Sequence, residues 1–71
     1  MIDPTRLKAH VLRRIAADAS WDAGHANQLA VECRRASYME AARLHEHNAE
    51  GFRLVARVAN EELRRRGEAL T

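Results

Sequence analysis

The sequence contains few of the residues that break helices or build strands. Of its 71 residues, three are Gly, one is Pro and 4% are aromatic. Alanine, in contrast, occurs 14 times, and 11 of the 12 basic residues are Arg. Good helix formers therefore dominate, and the β-branched and aromatic residues that strands prefer are scarce. This balance predicts an all-α fold in one small domain.

Cysteine and long apolar runs are also lacking. The single Cys33 excludes an internal disulfide framework and a multi-cysteine metal site, and it suits a reducing compartment. Because no apolar run approaches 18 residues and charges occur throughout residues 1–19, we expect neither a membrane span nor a signal peptide. We therefore expect a cytoplasmic protein, and the high Arg and Ala content favours a high-GC bacterium or one of its phages.

Capping signals predict a bundle of about three helices, two short and one long, over residues 4–18, 21–35 and 38–66. Asp3 followed by Pro4 is a strong helix start. Ser20 or Asp22 can cap a second helix. Gly67 can take the left-handed conformation that ends the last helix, which leaves residues 68–71 as a frayed tail.

The break between the second and third helices has three possible positions. A tight connection at Ala36–Ser37 is favoured, since Ser37 and Glu40 have capping-box spacing. A break at Asn48–Gly51 is the second possibility. The third is an unbroken helix, because an apolar pattern repeats every eleven residues; its members are Ala30, Ala41, Phe52 and Leu63.

The segment from Tyr38 to Leu44 resembles the middle of a tetratricopeptide-type helix hairpin. In that family an aromatic residue opens the second helix and small residues follow, as Tyr38, Ala41 and Ala42 do here. Arg35 stands where the family has Gly, and no second repeat is present. The resemblance implies a helical hairpin and carries no functional expectation.

The predicted core is small for a stable monomer. Its large members are expected to be Leu7, Val11, Leu12, Ile15, Leu29, Cys33, Leu44, Phe52, Val55 and Leu63, padded by Ala26, Ala30, Ala41, Ala56 and Ala59. Ten such side chains leave a 71-residue domain marginal, and small scaffolds usually answer with disulfides, a metal or association. We therefore expect the bundle to be completed by self-association or by docking on a partner.

Large side chains outside this predicted core are candidates for the interface. Trp, Tyr and Arg are the types that anchor protein interfaces. The predicted interface residues are Trp21, Arg34, Arg35, Tyr38, Met39, Leu54 and Val58.

Residues that could carry catalysis or bind a metal lack a suitable arrangement. His45 and His47 point about 200° apart on a helix, so they cannot chelate one ion as a pair four residues apart would. Cys33 lies on the apolar stripe, where a thiol behaves as a small hydrophobe. No nucleophile elbow or phosphate-binding loop is present. We expect no enzyme activity, no metal and no cofactor.

Arginine clusters provide the alternative hypothesis, a small dimeric nucleic-acid-binding regulator. The residues that would contact phosphate are Arg13, Arg14, Arg34, Arg35, Arg64, Arg65 and Arg66. Most of them have a carboxylate one turn away, which is typical of a solvated helix face. The leading hypothesis is a non-enzymatic protein–protein interaction module that self-associates as a homodimer and binds another protein as an accessory factor or inhibitor.

Overall fold

The computed structural model describes residues 3–67 and consists of two long helices joined by a tight turn. A short 3-10 turn, Pro4–Arg6, precedes helix α1, Ala9–Arg35, and helix α2 follows over Met39–Arg65. Within residues 3–67 there is no strand, so the all-α prediction is confirmed. The expected three-helix bundle is not found, because this part of the chain forms two helices.

The first turn begins as the sequence predicts but does not continue into a helix. The Asp3 carboxylate accepts hydrogen bonds from the Thr5 amide at 3.0 Å and the Thr5 hydroxyl at 2.8 Å. Extended backbone at Leu7 and Lys8 then separates this turn from α1. The helix expected to start at Pro4 therefore starts at Ala9.

Helix α1 runs without interruption through the expected break between residues 18 and 21. The predicted segments 4–18 and 21–35 are therefore wrong as separate helices. Ala19 lies within the expected break and Ala23 lies one turn beyond it, and both are buried on the helix that packs against α2. Because a break there would remove both from the helix contact, tertiary packing overrides the capping preference of Ser20 and Asp22.

The turn between the helices lies at Ala36–Tyr38, which confirms the favoured break and excludes the other two. The Tyr38 amide donates to the Cys33 carbonyl at 2.8 Å, and the Ser37 amide donates to the Arg34 carbonyl at 3.0 Å. These two bonds form a Schellman motif, with Ser37 in the left-handed position at φ +65°. Ser37 thus ends α1 instead of capping α2, whose N-cap is Tyr38.

The two helices pack antiparallel along a seam of alanines. Ala42, Ala49, Ala56 and Leu63 follow one another at intervals of seven in α2, and all four are buried. The facing residues of α1 are Leu12, Ala16, Ala19, Ala23, Ala26 and Ala30. Such heptad spacing keeps one narrow stripe of each helix facing the other. The molecule is accordingly a thin rod, 45 × 21 × 14 Å.

The alanine seam corrects the predicted core. Among the large side chains in residues 3–67, only Leu12 and Leu63 are almost completely buried. Leu44, Phe52 and Val55 were expected inside, but they are exposed because the small seam residues occupy the helix contact instead. The hairpin implied by the likeness of residues 38–44 to a helix hairpin is present, with α2 beginning at Met39.

The end of α2 is tied back to the beginning of the chain. Arg66 donates from Nη2 to the backbone carbonyls of Pro4 and Thr5, at 3.0 and 3.1 Å. Its Nε donates to Glu62 at 3.0 Å. Gly67 takes the predicted left-handed conformation at φ +77°. The tail predicted for 68–71 lies outside the described residues.

Candidate interaction surface

One side of the hairpin presents aliphatic side chains from both helices. Helical periodicity places them together, flanking the alanine seam on the same side. We call this surface the apolar face; its members are Ile15, Leu29, Leu44, Leu54, Val55 and Val58. Leu44 is 58% exposed and Val55 is 41% exposed. Exposed aliphatic side chains grouped on one face of a small protein are typical of a binding surface.

A groove of about 280 Å³ opens at the end of the apolar face that lies far from the turn. The 3-10 turn forms one edge of it through Pro4 and Leu7. Ile15 from α1 and Val58 from α2 form its sides. The groove lining carries only aliphatic side chains and proline, so it suits an apolar side chain and offers no side-chain partner for a polar ligand.

The middle of the apolar face is more open and more polar. Gly51 lines a second cavity of about 340 Å³ together with His47, Asn48, Phe52 and Val55. A side chain built on Gly51 would find no atom within 4 Å. This part of the face can therefore receive a polar side chain from a partner.

The other side of the hairpin is polar. Arg34 of α1 and Glu46 of α2 form an ion pair there that bridges the two helices. Helical periodicity also directs Arg53 and Arg57 away from the apolar face. The contrast between the two sides makes the apolar face the stronger candidate for a binding surface.

The predicted interface residues do not form one patch. Leu54 and Val58 belong to the apolar face and line its groove. A second group occupies the turn, where Tyr38 is 68% exposed and Met39 is also exposed. We call this group the turn cluster; its members are Arg34, Arg35, Tyr38 and Met39.

Trp21 stands apart from both groups. It lies in the middle of α1 and is 69% exposed. Its indole stacks on the imidazole of His25, one turn further along, with ring centroids 5.2 Å apart and planes 16° apart. The stack covers one side of the indole and gives Trp21 a defined orientation at the surface.

The arginines of the nucleic-acid hypothesis divide between the two ends of the rod. Arg34 and Arg35 lie at the turn, about 30 Å along α1 from Arg13 and Arg14. Several of them are paired with carboxylates: Arg14 with Asp18, Arg34 with Glu46, and both Arg65 and Arg66 with Glu62. This pairing reduces the positive potential that a phosphate backbone would meet.

Glu62 is the one charged residue buried among residues 3–67, with 7% of its surface exposed. Its carboxylate accepts from Arg65 Nε at 2.8 Å and from Arg66 Nε at 3.0 Å. Hydrogen bonds from Arg65 and then from Arg66 lower the pKa of Glu62 from 4.5 to about 2, against the opposing effect of burial. Glu62 is therefore ionised at neutral pH and organises the end of α2.

The described residues offer no metal site. No three His, Cys, Asp or Glu side chains in residues 3–67 lie where they could hold one ion. Over the same range, neither helix is long and apolar enough to cross a bilayer.

Sequence reasoning assigned several members of the apolar face to the core. Leu44 and Val55 were expected inside because they are large and aliphatic, but both are exposed, whereas Ile15 is partly buried against the core as expected. The sequence pattern that indicates where Leu44 and Val55 lie is the seven-residue spacing of Ala42, Ala49 and Ala56. That row identifies the buried stripe of α2 and places Leu44 and Val55 beside it.

Comparisons with known proteins give no further indication of a role. No family model, no curated protein and no solved structure matches this chain.

Proposed function

We propose that this chain is a non-enzymatic helical interaction module that self-associates and acts on another protein as an accessory factor or inhibitor. The observation that supports the proposal is the apolar face, to which both helices contribute. Such a face gains free energy when a partner removes it from water, at about 25 cal/mol per Å² of apolar surface. The hairpin alone leaves Leu44, Leu54 and Val55 in water.

The turn cluster is the proposed surface for the other protein. It lies at one tip of a rod 45 Å long, so it stays accessible when the apolar face is covered. Tyr38 provides a rigid, amphipathic side chain, and Arg35 provides a planar cation. A tip of this composition suits insertion into a site on a larger protein.

The lone Cys33 is half-buried and suits a reducing compartment. We therefore place the proposed role in the cytoplasm, in a bacterium or a phage-infected cell, as the Arg and Ala content favours.

Site-specific photo-crosslinking in cells tests the proposal. A photoreactive phenylalanine replaces Val55 on the apolar face, Tyr38 in the turn cluster or Arg57 on the charged side of α2, and products are identified by mass spectrometry. We expect position 55 to crosslink to a second copy of the chain and position 38 to another protein. Labelling at positions 55 and 38 that does not exceed labelling at position 57 would contradict the proposal.

Nucleic-acid binding is the competing outcome. It predicts affinity for duplex DNA or RNA that falls steeply as salt rises. The absence of binding at about 50 mM salt, where such affinity is strong, removes that alternative.

A further inference from the structure

We infer that self-association through the apolar face takes up a proton at Asp22, so that a lower pH favours the associated form. The inference rests on the proposed self-association and adds the means by which acidity regulates it. The Asp22 carboxylate lies at the centre of that face and has to leave water when a second copy covers it.

The position of Asp22 is central in both directions. It is seven residues from Ile15 and seven from Leu29, so helical periodicity places its side chain on their side of α1. It is also equally far from the two ends of the helix, Ala9–Arg35. A standard interface buries about 800 Å² per partner, and its centre is the part that loses water completely. A second copy that covers the apolar face therefore covers Asp22.

The Asp22 carboxylate has no partner within the described part of the hairpin. Its side chain is half-buried, yet no hydrogen bond or ion pair there reaches it. Asp18, one turn earlier on α1, differs because Arg14 Nε lies 3.0 Å from its carboxylate. His25, one turn later, is stacked on the indole of Trp21. Asp22 therefore relies on water to stabilise its negative charge.

Asp22 lies level with the open middle of α2. The helices are antiparallel and Ala16 packs with Ala59, so Asp22 lies beside residues 51–53. A side chain built on Gly51 would meet no atom within 4 Å. The space next to Asp22 is therefore left for a second copy to fill.

The charged and titratable residues of α2 near this level give Asp22 no permanent cation. His47 lines the cavity there together with Asn48, and histidine changes its charge between about pH 5 and pH 8. Helical periodicity directs Glu50 and Arg53 away from the apolar face. The six residues that define the face include neither Lys nor Arg.

Both face-to-face orientations of a second copy take the Asp22 carboxylate out of water. A two-fold axis that reverses the rod end for end stacks α1 on α1 and brings the two Asp22 carboxylates together. A two-fold axis along the rod stacks α1 on α2 and places Asp22 opposite Gly51 of the partner subunit, where Asn48 supplies a neutral donor. Burial and like-charge repulsion both disfavour an ionised carboxyl group, so either orientation favours the protonated form.

Linkage between proton binding and association gives the direction of the effect. The associated form holds a proton at Asp22 that the separated chains release near neutral pH, so association strengthens as the pH falls. Each chain contributes one proton, and a dimer therefore takes up two. The buried carboxylate of Glu62 stays ionised in this range, because its pKa is about 2.

Light scattering and sedimentation of the full chain between about pH 7.5 and pH 5.5 test the inference. The wild-type dissociation constant is expected to fall at least about tenfold as the pH is lowered. Asp22→Asn keeps the shape of the side chain and removes its charge, so it should associate at least about tenfold more tightly than the wild type at about pH 7.5. Its dissociation constant should change by less than about threefold over the range.

Two further variants serve as controls. Glu32→Gln removes a carboxylate from an exposed position of α1 and should keep the wild-type pH dependence. His47→Gln removes the titratable residue of α2 nearest to Asp22 and should also keep it, because the proton is held by Asp22. Circular dichroism establishes that each variant is as helical as the wild type.

The outcomes separate this inference from the proposed function. A wild-type dimer whose dissociation constant does not change with pH overturns the inference and leaves self-association standing. A pH dependence that persists in Asp22→Asn, or that disappears in His47→Gln, overturns it in the same way. A wild-type chain that is monomeric at every concentration and pH overturns both.

Discussion

Arg66 Nη2 lies 3.0 Å from the Pro4 carbonyl oxygen, a contact that joins residues 62 positions apart in the sequence. The same nitrogen donates to the Thr5 carbonyl, while Nε donates to Glu62. The end of α2 therefore holds the 3-10 turn in place. Because Pro4 lines the groove, this clasp also shapes one edge of the proposed binding surface.

Replacing Arg66 with Ala is expected to release the 3-10 turn. The Pro4 and Thr5 carbonyls lose a charged donor, and such hydrogen bonds contribute about 1.5–3 kcal/mol. Urea unfolding should show a loss of about 1–3 kcal/mol, with faster amide exchange at Leu7. Arg64→Ala, on the exposed side of the same turn, is the control and should change stability by less than about 0.5 kcal/mol. Equal losses in both variants would contradict the clasp.

The burial and ion pairs of Glu62 predict a defined dependence of stability on pH. Folding lowers the pKa of Glu62 from 4.5 to about 2, so the unfolded chain binds more protons between these values. Its contribution to the free energy of unfolding is therefore complete above about pH 5 and is lost as the pH falls toward 2. Asp3, whose pKa is lowered by hydrogen bonds from Thr5, adds a change in the same direction.

Unfolding measured as a function of pH checks this contribution. Glu62→Gln removes the titrating group, so its free energy of unfolding should fall less steeply between pH 5 and pH 2 than that of the wild type. Glu61→Gln, at the exposed neighbouring position, should keep the wild-type slope. Parallel curves for wild type and Glu62→Gln would show that Glu62 does not carry the effect.

The turn at Ala36–Tyr38 could be predicted from the sequence, but the role of its residues could not. Ser37 and Glu40 have the spacing of a capping box, which locates the break. The structure instead uses Ser37 as the left-handed residue after α1. A helix N-cap and a left-handed residue after a helix both lie next to a helix end, so the sequence predicts the boundary in either case. The backbone conformation of Ser37 depends in addition on how α2 returns along α1.

Ser37→Gly is expected to stabilise the hairpin. A side chain at φ +65° costs about 1 kcal/mol that glycine does not, although glycine also has more freedom in the unfolded chain. The net gain in the free energy of unfolding should be about 0.5–1 kcal/mol. Ser20→Gly, in the middle of α1, should instead destabilise by about 0.5 kcal/mol because glycine is a poor helix former. A loss for Ser37→Gly would show that the Schellman geometry is not present.

Sequence patterns predicted helices well and predicted their buried side less well. Large aliphatic residues such as Leu44 and Val55 normally indicate a core, since burial favours them most. Here the alanines of the seam are buried instead, and the larger side chains lie beside them. A pattern in one chain cannot distinguish a core within a monomer from a core shared between copies, because the hydrophobic effect has the same form in both.

A larger side chain in the seam should separate the two helices. Ala49 is completely buried, so Ala49→Leu is expected to overpack the contact and cost about 1–3 kcal/mol in the free energy of unfolding. Ala17→Leu, at an exposed position of α1, is the matched control and should be close to neutral. Tolerance of leucine at position 49 would contradict the close alanine contact.

The most direct test of the account is the mass of the wild-type chain in solution, measured by light scattering from low to high micromolar concentration. The apolar face predicts a particle of twice 8.0 kDa. Val55→Lys, on that face, should shift the mass to that of the monomer, whereas Val31→Lys, equally exposed on the other side of the hairpin, should remain dimeric. A wild-type chain of 8.0 kDa throughout the concentration range would contradict self-association through the apolar face.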